Sequence, residues 1–182
     1  MQTQMLHRLS VSNIFILISV VFTFIATMYS WFYAYGMNSA FLNQGQYHIY
    51  AIQFFSSQFL HGWILHLAMN SIFIFIFWNY VENIIGIHKY TLFFILNSLF
   101  VGWAITFLWS WNTVWISGFA MAVMAYYTLY LKSKNHPDYT WWITALAINI
   151  WIWIIPGISL LGHLFWAIWG ALYFYILRII KK

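Results

Sequence analysis

Five polar side chains stand out in a chain otherwise nearly devoid of reactive groups: Ser117, His163, His61, His66 and Asn70. Serine with histidine is the pair that nucleophilic catalysis needs, a hydroxyl and a base to take its proton. His66 and Asn70 are four apart, so on a helix they share one face, and both carry donors suited to an oxyanion on an attacked carbonyl. Ser117-Gly118 opens an apolar run, placing a backbone N–H at a helix start, without an intrahelical partner and favoured by the helix dipole. His61 precedes His66 by five residues, about 140° around an ideal helix, so it is expected to look elsewhere, near the mouth of any site. Each residue also has a plainer reading: Ser117 as a helix N-cap, the histidines as buried hydrogen-bonding groups, Asn70 as glue between membrane helices. Three histidines could also bind a metal, or two of them a haem, although no cysteine or carboxylate lies near and the five-residue step splits the first pair. Spacing alone leaves these open.

These groups are embedded in a chain of 182 residues that is 64% hydrophobic and 24% aromatic, with only 5% charged. That composition describes an integral membrane protein, expected to be a single domain over 1–182. Polar groups in apolar spans are costly unless they face a protein interior or a wet cavity, which makes the five residues functional candidates. The net charge of +5 is not gathered on an aromatic-interleaved patch, so nucleic acid is not an expected partner. Cysteine is absent, which removes thiol nucleophiles and disulfides.

Six apolar segments read as membrane spans, at about 11–35, 55–82, 90–109, 116–131, 139–155 and 159–179. A hydrocarbon core of about 30 Å takes about 20 helical residues, so the fifth is rather short, stopped by Pro156-Gly157. The first has no small-residue cleavage site and is expected to be retained rather than removed as a signal peptide. The uncharged connection 36–53 interleaves Phe41, Tyr47, Ile49 and Tyr50 with amides, as a segment lying in the membrane interface would. Trp109, Trp111 and Trp115 flank a turn at 110–113 like an interfacial belt. If every span crosses, Arg8, Lys89, Lys132, Lys134, Arg178, Lys181 and Lys182 all fall on the side of the N-terminus, and the opposite loops hold none. Both termini are therefore expected in the cytoplasm. The second, fourth and sixth spans then run inward, and His61, His66, Ser117 and His163 lie at similar depth near their outer ends.

The chain resembles the rhomboid intramembrane serine proteases over about residues 50–175. His61-Gly-Trp-Ile-Leu-His66-Leu-Ala-Met-Asn70 is similar to the family's second-helix signature, and Phe77-Trp-Asn-Tyr-Val-Glu82 with Gly86 to that helix's end. Ile116-Ser117-Gly118 stands at the nucleophile motif, and Gly162-His163 followed by Gly170 resembles the sixth-helix motif. The resemblance implies an all-α bundle of six transmembrane helices with cytoplasmic termini, in a bacterial-type plasma membrane. It implies Ser117 as nucleophile and His163 as general base, with His66, Asn70 and the Ser117 amide around the oxyanion. His61 and Gly118 would be structural beside the site. No cofactor or metal is implied. The substrate would be another membrane protein, cut in or near its transmembrane helix, which must locally unwind because helical carbonyls are hidden in hydrogen bonds. The fifth helix and the Pro156-Gly157 loop would gate entry, with the lipid bilayer as surroundings.

Four positions depart from the family pattern. Trp115 and Trp166 stand where the family has glycines that let the fourth and sixth helices approach closely; the two indoles would force the helices apart if they faced each other, but close contact is expected to survive with a slight rotation. Small strips remain at Gly118, Ala122 and Ala125, and at Ala167, Gly170 and Ala171. Met121 replaces a tyrosine that stacks on the histidine, and Ile52-Gln53 replaces a Trp-Arg pair. Neither reacting group is lost. The alternative is a catalytically inactive relative that binds transmembrane helices. Small-solute transport is disfavoured because no span carries a charge near its middle.

Overall fold

The first helix buries its polar stripe and turns its apolar residues outward, the reverse of a helix in a water-soluble protein. Ser12, Phe15, Ser19, Thr23 and Ala26 recur every three or four residues on the buried face of α1 (Val11–Met28), while Leu17, Val20, Val21 and Phe24 are exposed. Lipid is as apolar as leucine, so membrane helices pack through small and hydroxyl residues and leave the large apolar ones to the bilayer. The computed structural model describes residues 10–62, 64–108, 117–151 and 160–180, and these form no strand. After α1 come a 3₁₀ turn (Ser30–Tyr35), α2 (Ala40–Asn43), α3 (Tyr47–Phe59), α4 (Ile64–Phe73), a π turn (Ile74–Trp78) and α5 (Asn79–Ile85). Then follow α6 (Ile87–Leu108), α7 (Ser117–Ser133), α8 (Tyr139–Trp151) and α9 (Leu160–Ile180). Among the described residues, three stretches are long and apolar enough to cross a membrane: Val11–Met28, Ile87–Phe107 and Gly162–Ile180.

The start of α1 is tied to the end of α5. Ser10 Oγ accepts from the Asn13 amide at 3.1 Å, and the Glu82 carboxylate accepts from the amides of Val11 and Ser12, both at 3.0 Å. The Ser12 hydroxyl donates to the same carboxylate at 2.8 Å, and the Tyr90 hydroxyl lies 3.1 Å from it. Amides that α1 itself leaves unpaired are thus satisfied, and a negative charge sits at the positive end of its dipole. The chain then reverses at Gly86, whose φ of +84° is a conformation glycine adopts without strain, and α6 starts at the next residue.

The core is centred on α7, in which every residue from Gly118 to Tyr126 is buried. A helix apolar all round belongs in the middle of a bundle. Phe119 meets the rings of Trp78, Tyr90, Phe93 and Phe94 at centroid distances of 4.6 to 5.7 Å. Its most extensive partner is α9. Trp166 lies over Gly118 and Gly170 against the backbone of Ala122, an advance of four residues on each helix, so the two run parallel. The contact at Gly170 is with the backbone of Ala122, so the two helices approach closely through their small strips one turn beyond Trp166.

Three expectations change. The second segment is not one helix from about 55 to 82, because the chain is non-helical at Leu60 and His61 and α4 begins only at Ile64. The 36–53 connection is largely helical, as α2 and most of α3, and α3 packs on α6: Tyr50 Oη and Thr106 Oγ1 are 2.8 Å apart, and Phe54 fills the space above Gly102. The first helix stops at Met28 instead of 35, its carbonyl end closed by the Tyr29 amide. The break before α4 has a long-range cause. Tyr33 Oη donates to the His61 carbonyl at 3.0 Å, and Gln53 Nε2 donates to the carbonyls of Ala34 and Gly36 at 2.9 and 2.6 Å. The 3₁₀ turn and Gly36 after it therefore pin both α3 and His61, two residues past its end. The 110–113 turn with its tryptophans and the Pro156-Gly157 stop lie outside the described residues.

Candidate active site

His163 sits in the first turn of α9 and is almost fully buried, at 4% exposure. Its Nδ1 lies 2.8 Å from the carbonyl oxygen of Asn149 on α8. A carbonyl only accepts, so Nδ1 carries the ring proton and Nε2 is the nitrogen able to take one. One turn along α9, the Trp166 indole is fully buried with its centroid 6.0 Å from the His163 ring. That indole reaches across to Gly118, the second residue of α7. The backbone of Ser117 is the first residue of α7, at the end of the parallel α7–α9 pair where His163 lies. The Ser117 side chain lies outside the described residues, as does Trp115.

His66 occupies the first turn of α4, and its ring is near enough to His163 for the two to interact electrostatically. One turn on, Asn70 is half-buried, and its Nδ2 is a buried donor with no protein partner among the described residues. An amide donor left unpaired in a buried setting costs roughly 1–3 kcal/mol, so its retention calls for a use. The first two turns of α4 and the first turns of α7 and α9 thus bring His66, Asn70, the Ser117 backbone and His163 to one end of the bundle.

His61 corrects the expectation that it looks elsewhere. Its ring lies 5.3 Å from that of His66, edge on at 71°. The helical-wheel angle does not apply because the two histidines do not share a helix: His61 belongs to the extended break. It is fully buried, with Nδ1 3.2 Å from both Thr23 Oγ1 of α1 and the Phe59 carbonyl. That anchorage fits a residue that holds His66 in place. Thr23, Tyr33 and Gln53, which brace this corner, were not singled out as a group in the sequence, since their contacts join segments 17 to 38 positions apart. Among the described residues no three of His, Cys, Asp or Glu are arranged to hold a metal ion.

Two helices beside the site, α4 and α8, have no fully buried residue among those described, and Leu65, Met69, Ile72, Ile148 and Trp151 are all exposed. The start of α8 is nevertheless held, Trp142 meeting Phe77 and Tyr127 edge to face at 4.8 and 5.0 Å.

Compared with known families, the chain matches the Rhomboid domain over residues 48–180. No individual curated protein is matched.

Proposed function

On the premise that the chain belongs to the rhomboid family, the match covering well over half its length, we propose that it is an intramembrane serine endopeptidase acting through Ser117 and His163. The Ser117 hydroxyl attacks the carbonyl carbon of the scissile peptide as His163 Nε2 takes its proton. The same imidazolium returns that proton to the leaving amine, and a water then hydrolyses the acyl-enzyme. Asn70 Nδ2, His66 and the Ser117 amide stabilise the oxyanion, a role worth about 10²–10³ in rate per donor where measured elsewhere. The observation that carries the reading is the unpaired, buried Asn70 donor one turn below His66, at the helix end where α7 opens with Ser117.

The substrate is another membrane protein, cut within or beside a transmembrane helix that unwinds on entry. Its path lies between α4 and α8, the two flanking helices without buried residues. Both termini are cytoplasmic in this reading, in a bacterial-type plasma membrane, with the site towards the opposite leaflet. His163 is then a sensor of α8 as well as a base, because its proton-bearing nitrogen is held by an α8 carbonyl.

One observation favours a second reading, a non-proteolytic relative that only binds transmembrane helices: the Trp166 indole stands between α9 and the residue after Ser117. Covalent capture by a fluorophosphonate separates the two. The enzyme is labelled at Ser117 and loses the label in Ser117→Ala, whereas a binding-only protein takes no label while accumulating normally.

A further inference from the structure

At the end of the bundle away from His163, the last turns of α7 and α9 part to leave a cleft of about 380 Å³. Its walls are Tyr126, Tyr130 and Lys134 from α7 and the residues just beyond it, and Phe174, Leu177 and Arg178 from α9, with Ile84 of α5 closing the third side. That volume is within the usual range for a small-ligand site, and none of these residues belongs to the catalytic group.

The two cations are held over the cleft by its own aromatic walls. Lys134 Nζ lies 6.0 Å from the centroid of Tyr130, and the Arg178 guanidinium carbon 5.6 Å from that of Phe174. Neither is neutralised by an acid: among the described residues the sole ion pair is His136 with Asp138, at 3.7 Å. Two positive charges facing one concavity without a carboxylate attract an anion, and the guanidinium fork matches phosphate oxygens. Below the cations the lining is apolar, with Ile84 of α5 and Phe174 and Leu177 of the membrane-spanning α9. Such a pocket, basic at its rim and apolar along a membrane-spanning helix, suits an amphiphile better than a soluble anion or an acidic protein segment.

We infer that this cleft seats the headgroup phosphate of an anionic phospholipid, from the leaflet on the membrane face where Lys89, Lys132, Lys134 and Arg178 gather. Lys134 and Arg178 bind the phosphate, the phenols of Tyr126 and Tyr130 border it, and one acyl chain runs along Phe174 and Leu177. The lipid bridges the last turns of α7 and α9, the helices that carry Ser117 and His163 at their other ends. The inference stands apart from the hydrolase reading and would survive its failure.

Native mass spectrometry on the full chain in detergent tests it, using phosphatidylglycerol and phosphatidylcholine of identical acyl chains. The protein is expected to retain phosphatidylglycerol about ten-fold more strongly, and Lys134→Gln/Arg178→Gln to lose that preference. Lys89→Gln/Lys132→Gln removes the same charge outside the cleft and is expected to keep it. Equal retention of the two lipids, or equal loss in both double variants, overturns the inference. So does a rise in melting temperature with inorganic phosphate alone as large as that with phosphatidylglycerol, since the cleft would then take a free anion.

Discussion

The Trp166 indole lies against the α-carbon of Gly118, in the volume that a methyl group there would need. Gly118, the residue after Ser117, is thus the socket for a tryptophan from α9. The bulk at 166 is absorbed by the absence of a side chain at 118, and the helices still meet at Gly170 and Ala122. Gly118→Ala is expected to cost about 1–3 kcal/mol by overpacking. In a Trp166→Ala background the same change should cost almost nothing, although Trp166→Ala alone removes about 3–5 kcal/mol of buried contact. Unfolding of the four proteins in detergent gives the coupling, and additive losses would show that the socket does not matter.

Gly170 faces a harder neighbour. A methyl group there meets the Ala122 carbonyl, which cannot rotate away as an indole can. Gly170→Ala is expected to destabilise more than Gly118→Ala, at or above the upper end of about 1–3 kcal/mol. A smaller shift in melting temperature than that of Gly118→Ala would contradict this ordering.

Asn70→Ala separates catalysis from folding. Its Nδ2 has no protein partner among the described residues, so truncation should not lower stability and should relieve part of the about 1–3 kcal/mol that an unpaired buried donor costs. Cleavage of a co-expressed single-span reporter should nevertheless fall by about 10²-fold, the usual effect of losing one oxyanion donor. Loss of stability with activity unchanged would make Asn70 structural.

Glu82→Gln tests the tie between α5 and α1. One carboxylate oxygen that accepts from an amide becomes a donor facing a donor, and the charge at the start of α1 is lost. Charge-assisted hydrogen bonds of this kind are worth about 1.5–3 kcal/mol, so the melting temperature should drop clearly while fluorophosphonate labelling of the folded fraction persists. An unchanged melting temperature would mean that α1 docks without the carboxylate.

The helical, membrane-embedded character and the polar positions were legible in the sequence because both follow from local composition. Glu82 was recognised as part of a helix-end signature, but which helix it would cap was not, since Val11 and Ser12 lie about 70 positions away. The angle between His61 and His66 was misread for a similar reason. The break between them is set by Tyr33, Thr23 and Phe59, and a helical wheel assumes that no such break exists. The fate of Trp166 depended on the axial register of α7 against α9, which a single chain does not display. Gln53, a departure from the family pattern, donates to the carbonyls of Ala34 in the 3₁₀ turn and of Gly36 just after it.

The π turn at Ile74–Trp78 holds one residue more than regular winding would use. It lets the two halves of one rod be clocked independently, His66 and Asn70 above it and Glu82 below. Excising a single residue from the regular winding of α4 or α5 instead would leave no such slack and swing one half by about 100°. The shortened rod could aim its upper side chains at α9 or its lower carboxylate at α1, but not both at once.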